Sequence, residues 1–182
     1  MADDQRGVSR AAFVSGPAAD AARFVLRGRA AALAAAWSLL EIAPPSALRA
    51  SRGLDTDILW LGPDEYLLLA PPEREDALAD ALEQAMGAHP HSLVGVGDRQ
   101  IGLELSGALV EAVLNVGCPL DLSLLAFPVG MCTRTLMAKT EITLWRLGET
   151  RFRVEIWRSF APYFEAYLDV AARGVLACSS PA

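Results

Sequence analysis

The chain predicts an α+β domain, mainly antiparallel strands with helices on one face, built from repeated hairpin–helix units. Three observations carry this. Apolar residues alternate in short runs bounded by Gly, Pro and Asp. Between those runs stand segments with the three- and four-residue spacing of an amphipathic helix. The links between successive strands are too short for most parallel crossovers.

The first strand is Arg23–Arg27, closed by Gly28. Leu33, Trp37 and Leu40 then fall at i, i+4 and i+7 of an Ala-rich helix over residues 29–41, which Pro44 and Pro45 stop. Residues 57–61 and 66–70 form a hairpin across Gly62–Glu65, where Pro63 pre-sets the first bend and Asp64 tolerates the second. Pro71, Pro72, Glu73, Glu75 and Asp76 favour the start of a helix that repeats its apolar pairs through Met86 and ends at Gly87. Residues 93–96 and 101–105 read as a second hairpin across Gly97–Gln100. Ser106 then caps a short helix that buries Leu109, Val110, Val113 and Leu114, and Gly117 closes it.

After an irregular loop over 118–129, strands are predicted over 131–138, 141–146 and 151–158. In the last, Phe152, Val154 and Ile156 face one way and Arg151, Arg153 and Glu155 the other, as in a sheet with one wet face. Ser159 caps a final helix with Pro162 in its first turn and a stripe of Phe160, Tyr163, Phe164, Tyr167, Leu168 and Ala171. Residues 1–20 read as a loose arm, 21–174 as a single domain with one core, and 175–182 as a frayed tail.

Composition narrows the function. The 182 residues are 53% hydrophobic and 21% charged, apolar for a free-standing monomer and suited to a chain that buries surface against partners. A net charge of −6 without a Lys/Arg run leaves nucleic-acid binding without its electrostatic source. Cys118, Cys132 and Cys178 match neither a disulfide framework nor a zinc spacing, and fit a reducing cytosol. Met-Ala-Asp-Asp lacks the basic start of a signal peptide, and the longest apolar run, Ala30–Trp37, is too short to span a bilayer, so the expected location is cytoplasmic.

Catalytic groups are sparse. His89 and His91 flank Pro90 in a polar linker with no third partner nearby in sequence, which predicts solvated side chains and no metal site. Strand alternation turns the neighbours of Cys132 to the opposite face, so Cys132 is expected to be buried and inert, as is Cys118. Asp98 and Arg99 at a turn read as ordinary solvation, and Gly95-x-Gly97 precedes no helix and makes no phosphate cradle. Arg134, Arg153 and Arg158 are better suited to anion contacts. Trp157 is either an interface anchor or a core lid. The words Phe127–Thr135 and Glu155–Tyr163 set aromatic, Met and Arg residues beside Gly and Pro. From them come the candidate subunit-interface or anion contacts: Met131, Arg134, Trp157, Arg158, Phe160 and Tyr163. Catalytic, cofactor-binding and metal residues are expected to be absent.

The segments Trp60–Leu69, Leu105–Gly107, Gly117–Leu122, Phe127–Thr135 and Trp157–Tyr163 resemble the gamma-subunit family of bacterial heterotetrameric sarcosine oxidase, in order and from about Phe24 to Gly174. That family is similar to the folate-binding domain of glycine-cleavage T protein, an α+β domain. The resemblance implies an accessory subunit of a complex that oxidatively demethylates sarcosine to glycine, with hydrogen peroxide and a one-carbon unit that tetrahydrofolate accepts. It implies alpha, beta and delta subunits as partners, with FMN, FAD and NAD on the alpha and beta subunits and tetrahydrofolate also on the partner side. Relatives often place Asp-x-Ser where this chain has Gly95-Val96-Gly97, so an acidic and a hydroxyl side chain are missing. Two other readings compete: a stand-alone folate-dependent one-carbon protein, and a binding module for an anionic metabolite using Arg134 or Arg158.

Overall fold

Alternating apolar runs build two five-stranded sheets in a computed structural model that describes residues 12–179. The described chain opens on β1 (Val14–Pro17). It continues through β2 (Ala22–Gly28), α1 (Ala30–Leu40), β3 (Ala50–Arg52), β4 (Asp57–Gly62) and β5 (Glu65–Ala70). A 3-10 turn (Pro72–Arg74), α2 (Glu75–Met86) and β6 (His91–Gly95) follow, then β7 (Gln100–Ser106) and α3 (Val110–Asn115). Beyond an irregular loop come β8 (Cys132–Met137), β9 (Thr140–Gly148), β10 (Arg151–Trp157), a 3-10 turn (Arg158–Phe160) and α4 (Ala161–Ser179).

Where the sequence leads to one core, the chain forms two compact units. A proximal unit holds Ala19–Gln100 with Gly130–Thr133; a distal unit holds residues 12–18, Ile101–Val129 and residues 134–179. The proximal sheet has the order β3-β4-β5-β2-β6. Its β2–β5, β2–β6, β3–β4 and β4–β5 pairs are all antiparallel. Numbered along the chain, β2, β4, β5 and β6 stand in the split βαβ arrangement, with β3 as an added edge. The distal sheet, β1-β7-β10-β9-β8, repeats that order with β7, β9 and β10 in place of β2, β4 and β5. Its fourth place, held in the proximal sheet by β6, is filled by β1.

Each core follows from strand and helix period. In the proximal unit Phe24 and Leu26, Ile58, and Tyr66 and Leu68 turn one face toward Ala32, Leu33 and Ala36 of α1 and Leu78, Leu82 and Met86 of α2. Trp37 meets Tyr66 edge-on, with ring centroids 4.9 Å apart. In the distal unit Phe152, Val154 and Ile156 pair with Arg146, Leu144 and Ile142 across β9 and β10, all buried. There α3 packs against α4.

Several expectations are corrected. The second hairpin does not exist: β6 pairs with β2, whereas β7 pairs with β1. Backbone bonds from Arg99 and Gln100 to the Val96 carbonyl do make a turn, but its two arms belong to different sheets. The arm over 1–20 contains β1, whose Val14–Pro17 pair with Ser106–Leu103; its first 11 residues lie outside the described part. The tail over 175–182 continues α4 through Ser179, and only residues 180–182 lie outside. Neither Ser106 nor Ser159 is a helix cap: Ser106 ends β7, and Ser159 sits inside the 3-10 turn. The wet face of β10 is also mistaken. Glu155 is 2% exposed, beside the buried Thr143 and Trp145, and its charge is met by Arg153 Nε at 2.7 Å.

Candidate docking face

The end of β10 and the start of α4 concentrate exposed aromatic rings. After Trp157 the chain takes one 3-10 turn, so Ala161 N–H bonds the Arg158 carbonyl and Pro162 falls in the first helical turn, where a missing N–H costs nothing. Helical period then sends Phe164, Leu168 and Ala171 into the core. Trp157, Phe160 and Tyr163 stay 42–45% exposed. Trp157 and Phe160 stack obliquely at 6.2 Å, as do Tyr163 and Tyr167 at 6.2 Å. Tyr167 Oη donates to the Val116 carbonyl at 3.3 Å. Past that bond lies an open groove of about 480 Å³, lined by Val116, Tyr167, Val170, Gly174, Val175 and Cys178.

Of the six candidate residues, the structure gathers Trp157, Phe160 and Tyr163, with the exposed Arg158 in the same turn. Met131 and Arg134 lie elsewhere along the chain. Met131 is half-buried and bridges Arg49 within the proximal unit, and Arg134 is exposed on β8.

The residue that sequence reasoning missed is Arg146, which has no exposed surface. Each of its five N–H donors has an acceptor. Nη1 donates to the carbonyls of Leu122 and Phe127, both at 2.8 Å. Nε donates to Gly148 O at 3.2 Å and Nη2 to Glu149 O at 2.6 Å. The fifth bond goes from Nη2 to Glu111 of α3, and the guanidinium lies 4.7 Å above the Phe152 ring. Arg146 therefore fixes the irregular loop between α3 and β8. Asp121 tightens the same loop by accepting from Ser123 N–H at 2.9 Å, and that bond holds its carboxyl below the usual carboxylate range. The signal was present: Arg146 shares strand parity with Ile142 and Leu144, a charge placed on an apolar face.

Cys132, Cys118 and His91 each have a local partner. Cys132 is fully buried, its thiol directed to the Trp60 carbonyl at 3.7 Å and pushed up to about 12 by desolvation, which leaves no thiolate near neutral pH. Cys118 is buried at 3.9 Å from the Thr135 hydroxyl. His91 is not simply solvated. It bridges the His89 carbonyl at 2.6 Å and Glu83 at 2.9 Å, tying the start of β6 to α2. Among the described residues no group of three or more His, Cys, Asp or Glu side chains is placed to hold a metal ion. No described helix is long and apolar enough to cross a membrane.

The run Gly95-Val96-Gly97 does not fit a folate contact. It offers no acidic or hydroxyl side chain, and its central backbone is already engaged. Val96 N–H donates to Arg23 O at 2.8 Å, and Val96 O accepts from Arg99 and Gln100.

Known proteins share this fold and sequence pattern. Solved heterotetrameric sarcosine oxidase from Corynebacterium sp. U-96, in complex with pyrrole 2-carboxylate, contains a chain that superposes with a TM-score of 0.83 at 29% identity, over 91% of this chain and 86% of that one. Aminomethyltransferase T of the glycine cleavage system from Bartonella henselae superposes with a TM-score of 0.61 at 15% identity, over 91% of this chain and 47% of that one, a likeness of fold. In sequence, sarcosine oxidase subunit gamma from Corynebacterium sp. (strain U-96) is 37% identical over 108 residues, 59% of this chain and 52% of the relative. The subunit gamma from Arthrobacter sp. is 39% identical over 99 residues, 54% and 48% of the two chains. The matched part is thus about half the length of those curated relatives. The sequence profile of the sarcosine oxidase gamma-subunit family matches residues 19–173, and the chain belongs to that family.

Proposed function

We propose that this chain is an accessory, non-catalytic gamma subunit of a heterotetrameric sarcosine oxidase, docking on its partners through the face around Trp157, Phe160 and Tyr163. The observation that carries the proposal is the exposure of three large rings on one rigid strand–turn–helix segment, in a family named for a subunit of a multi-subunit enzyme. Arg158 in the same turn supplies the bidentate donor that partner carboxylates favour. Met131 and Arg134 are proposed as further contacts. In this reading the complex demethylates sarcosine, works in the cytoplasm, and holds FMN, FAD and NAD on the alpha and beta chains, with tetrahydrofolate also on a partner chain.

Co-expression with those three chains tests the proposal. One co-eluting particle containing all four is expected; elution of this chain alone would refute it. The stand-alone one-carbon reading rests on the fold alone, and the engaged backbone at Gly95-Val96-Gly97 speaks against it. Titration of the isolated chain with tetrahydrofolate separates the two, since saturable micromolar binding with turnover belongs only to the rival.

A further inference from the structure

Helix α4 carries two apolar stripes, and the core uses only one. Phe164, Leu168, Ala171 and Ala172 are buried. A second stripe starts at Phe160 of the preceding 3-10 turn and runs through Tyr163, Tyr167, Val170 and Gly174, steps of three, four, three and four residues. Phe160 and Tyr163 are 45% and 42% exposed and Val170 62%. Alternating steps of three and four are the spacing with which one helix presents a seam to another. A stripe meant only for solvent has no need of that period.

The seam also has shape. Its first half is bulky, with rings held against one another. Its second half opens into the 480 Å³ groove, because Gly174 has no side chain and nothing lies within 4 Å of where its Cβ would stand. Tyr167, tied to Val116, forms the wall between the halves. An approaching helix therefore meets a ridge and then an open groove with room for large apolar side chains. Arg173 is exposed on the open flank of the stripe, where it favours a carboxylate on the incoming helix.

We infer that this outer seam of α4 is the seat for an amphipathic helix of another subunit of the complex, with a Leu-, Met- or Phe-sized side chain seated beside Gly174 and an acidic residue opposite Arg173. The inference rests on the subunit reading above and names what its docking face receives. The 19 residues of α4 run about 28 Å. One helix pair of that length falls short of the ~800 Å² per partner of a standard interface. A second copy, touching through this seam alone, would be held weakly, whereas a partner subunit continues onto Trp157 and Phe160.

The test uses the full chain co-expressed with the alpha, beta and delta subunits, comparing wild type with Val170→Asp and Gly174→Trp. Both sites are exposed, so both variants should keep the wild-type circular dichroism and Tm within a few degrees. Each is expected to weaken recovery of the complex at least tenfold, and Leu125→Asp, in the 95% exposed tip of the Arg146-pinned loop, serves as a surface control that does not. A photo-crosslinking residue at 163 or 170 should label partner positions three or four residues apart. If wild type does not co-elute, the subunit reading fails and the seam proposal with it. If wild type and both variants co-elute equally, the seam proposal alone fails. Labelling at two-residue intervals, or a homodimer of the isolated chain that Gly174→Trp abolishes, would overturn the helix or the partner respectively.

Discussion

The two units share one strand order and differ in what they add to it. In the proximal unit β6 closes the sheet, α1 and α2 bury one stripe each, and the outer face of α2 carries Asp76, Asp80 and Glu83. In the distal unit the closing strand is β1, from the far end of the sequence. A buried Arg146 pins a loop, and α4 has a second apolar stripe. Both halves expose single apolar side chains, Leu39, Leu54 and Val94 in the proximal one, but the exposed aromatic rings Trp157, Phe160 and Tyr163 are all in the distal half. The proposed docking face uses that added surface and none of the strand order that the two units share.

The comparison is broken hardest at Arg146. Arg146→Ala removes five hydrogen bonds at once and leaves Glu111 and four carbonyls without their donor. Losing one side of a buried charge network costs about 3–5 kcal/mol. Urea unfolding should show that loss, and hydrogen exchange should show it first in β9, β10 and the loop after α3, with β2, β4 and β5 still protected. Uniform loss across both sheets would mean that the units do not open separately.

The matching test in the proximal unit is Leu82→Ala. Leu82 is fully buried between α2 and its sheet, and deleting such a side chain costs about 2–5 kcal/mol. Here exchange should rise first in β2, β4 and β5. The two variants together ask whether each core supports its own sheet.

What could be read from the sequence follows range. Period fixed β2, β4, β5, β9, β10 and all four described helices, since each shows its pattern within its own residues. Pairing was not local. Gly97–Gln100 has ordinary hairpin chemistry, yet β6 finds its partner at Phe24–Gly28 and β7 finds one at Val14–Pro17. Residues Val14–Pro17 read as Ser, Gly and Pro in a loose arm; only the open edge of β7 makes them a strand. The edge strand β3 is three residues long, too short for alternation to register. The aromatic cluster at Trp157–Tyr163 was visible as composition, but the outer seam of α4 needed the structure, because its rings and those of the core interleave in one sequence. Glu155 has the strand parity of the exposed Arg151, so alternation marks it for solvent, yet it is buried beside Thr143 and bonded to Arg153.

A smaller effect tests how β1 joins the distal sheet. Gly107 follows β7 at φ +118°, a conformation open to glycine alone, and a Cβ there would collide with the Ala12 backbone just before β1. Gly107→Ala should cost about 1–3 kcal/mol through strain. The expected signature is faster exchange in β1 and β7 with β6 unaffected. If β6 loosens equally, the fourth strands of the two sheets are not independent.

The smallest effect lies in the proximal unit, at His91. The His89 carbonyl first, and then Glu83, raise its pKa above the ordinary imidazole value, since both prefer the protonated ring. The folded state therefore binds that proton more tightly than the unfolded chain. Its contribution is fully present below the unfolded pKa of about 6.5 and is lost as pH rises through the folded value. Glu83 is half exposed, which screens the pair and keeps the gain small. Tm measured between pH 5 and 8 should fall slightly more for wild type than for His91→Ala. Glu83→Gln should flatten the profile partway, because the bond to the His89 carbonyl remains. Identical pH profiles for all three proteins would show that the link between α2 and β6 does not depend on charge.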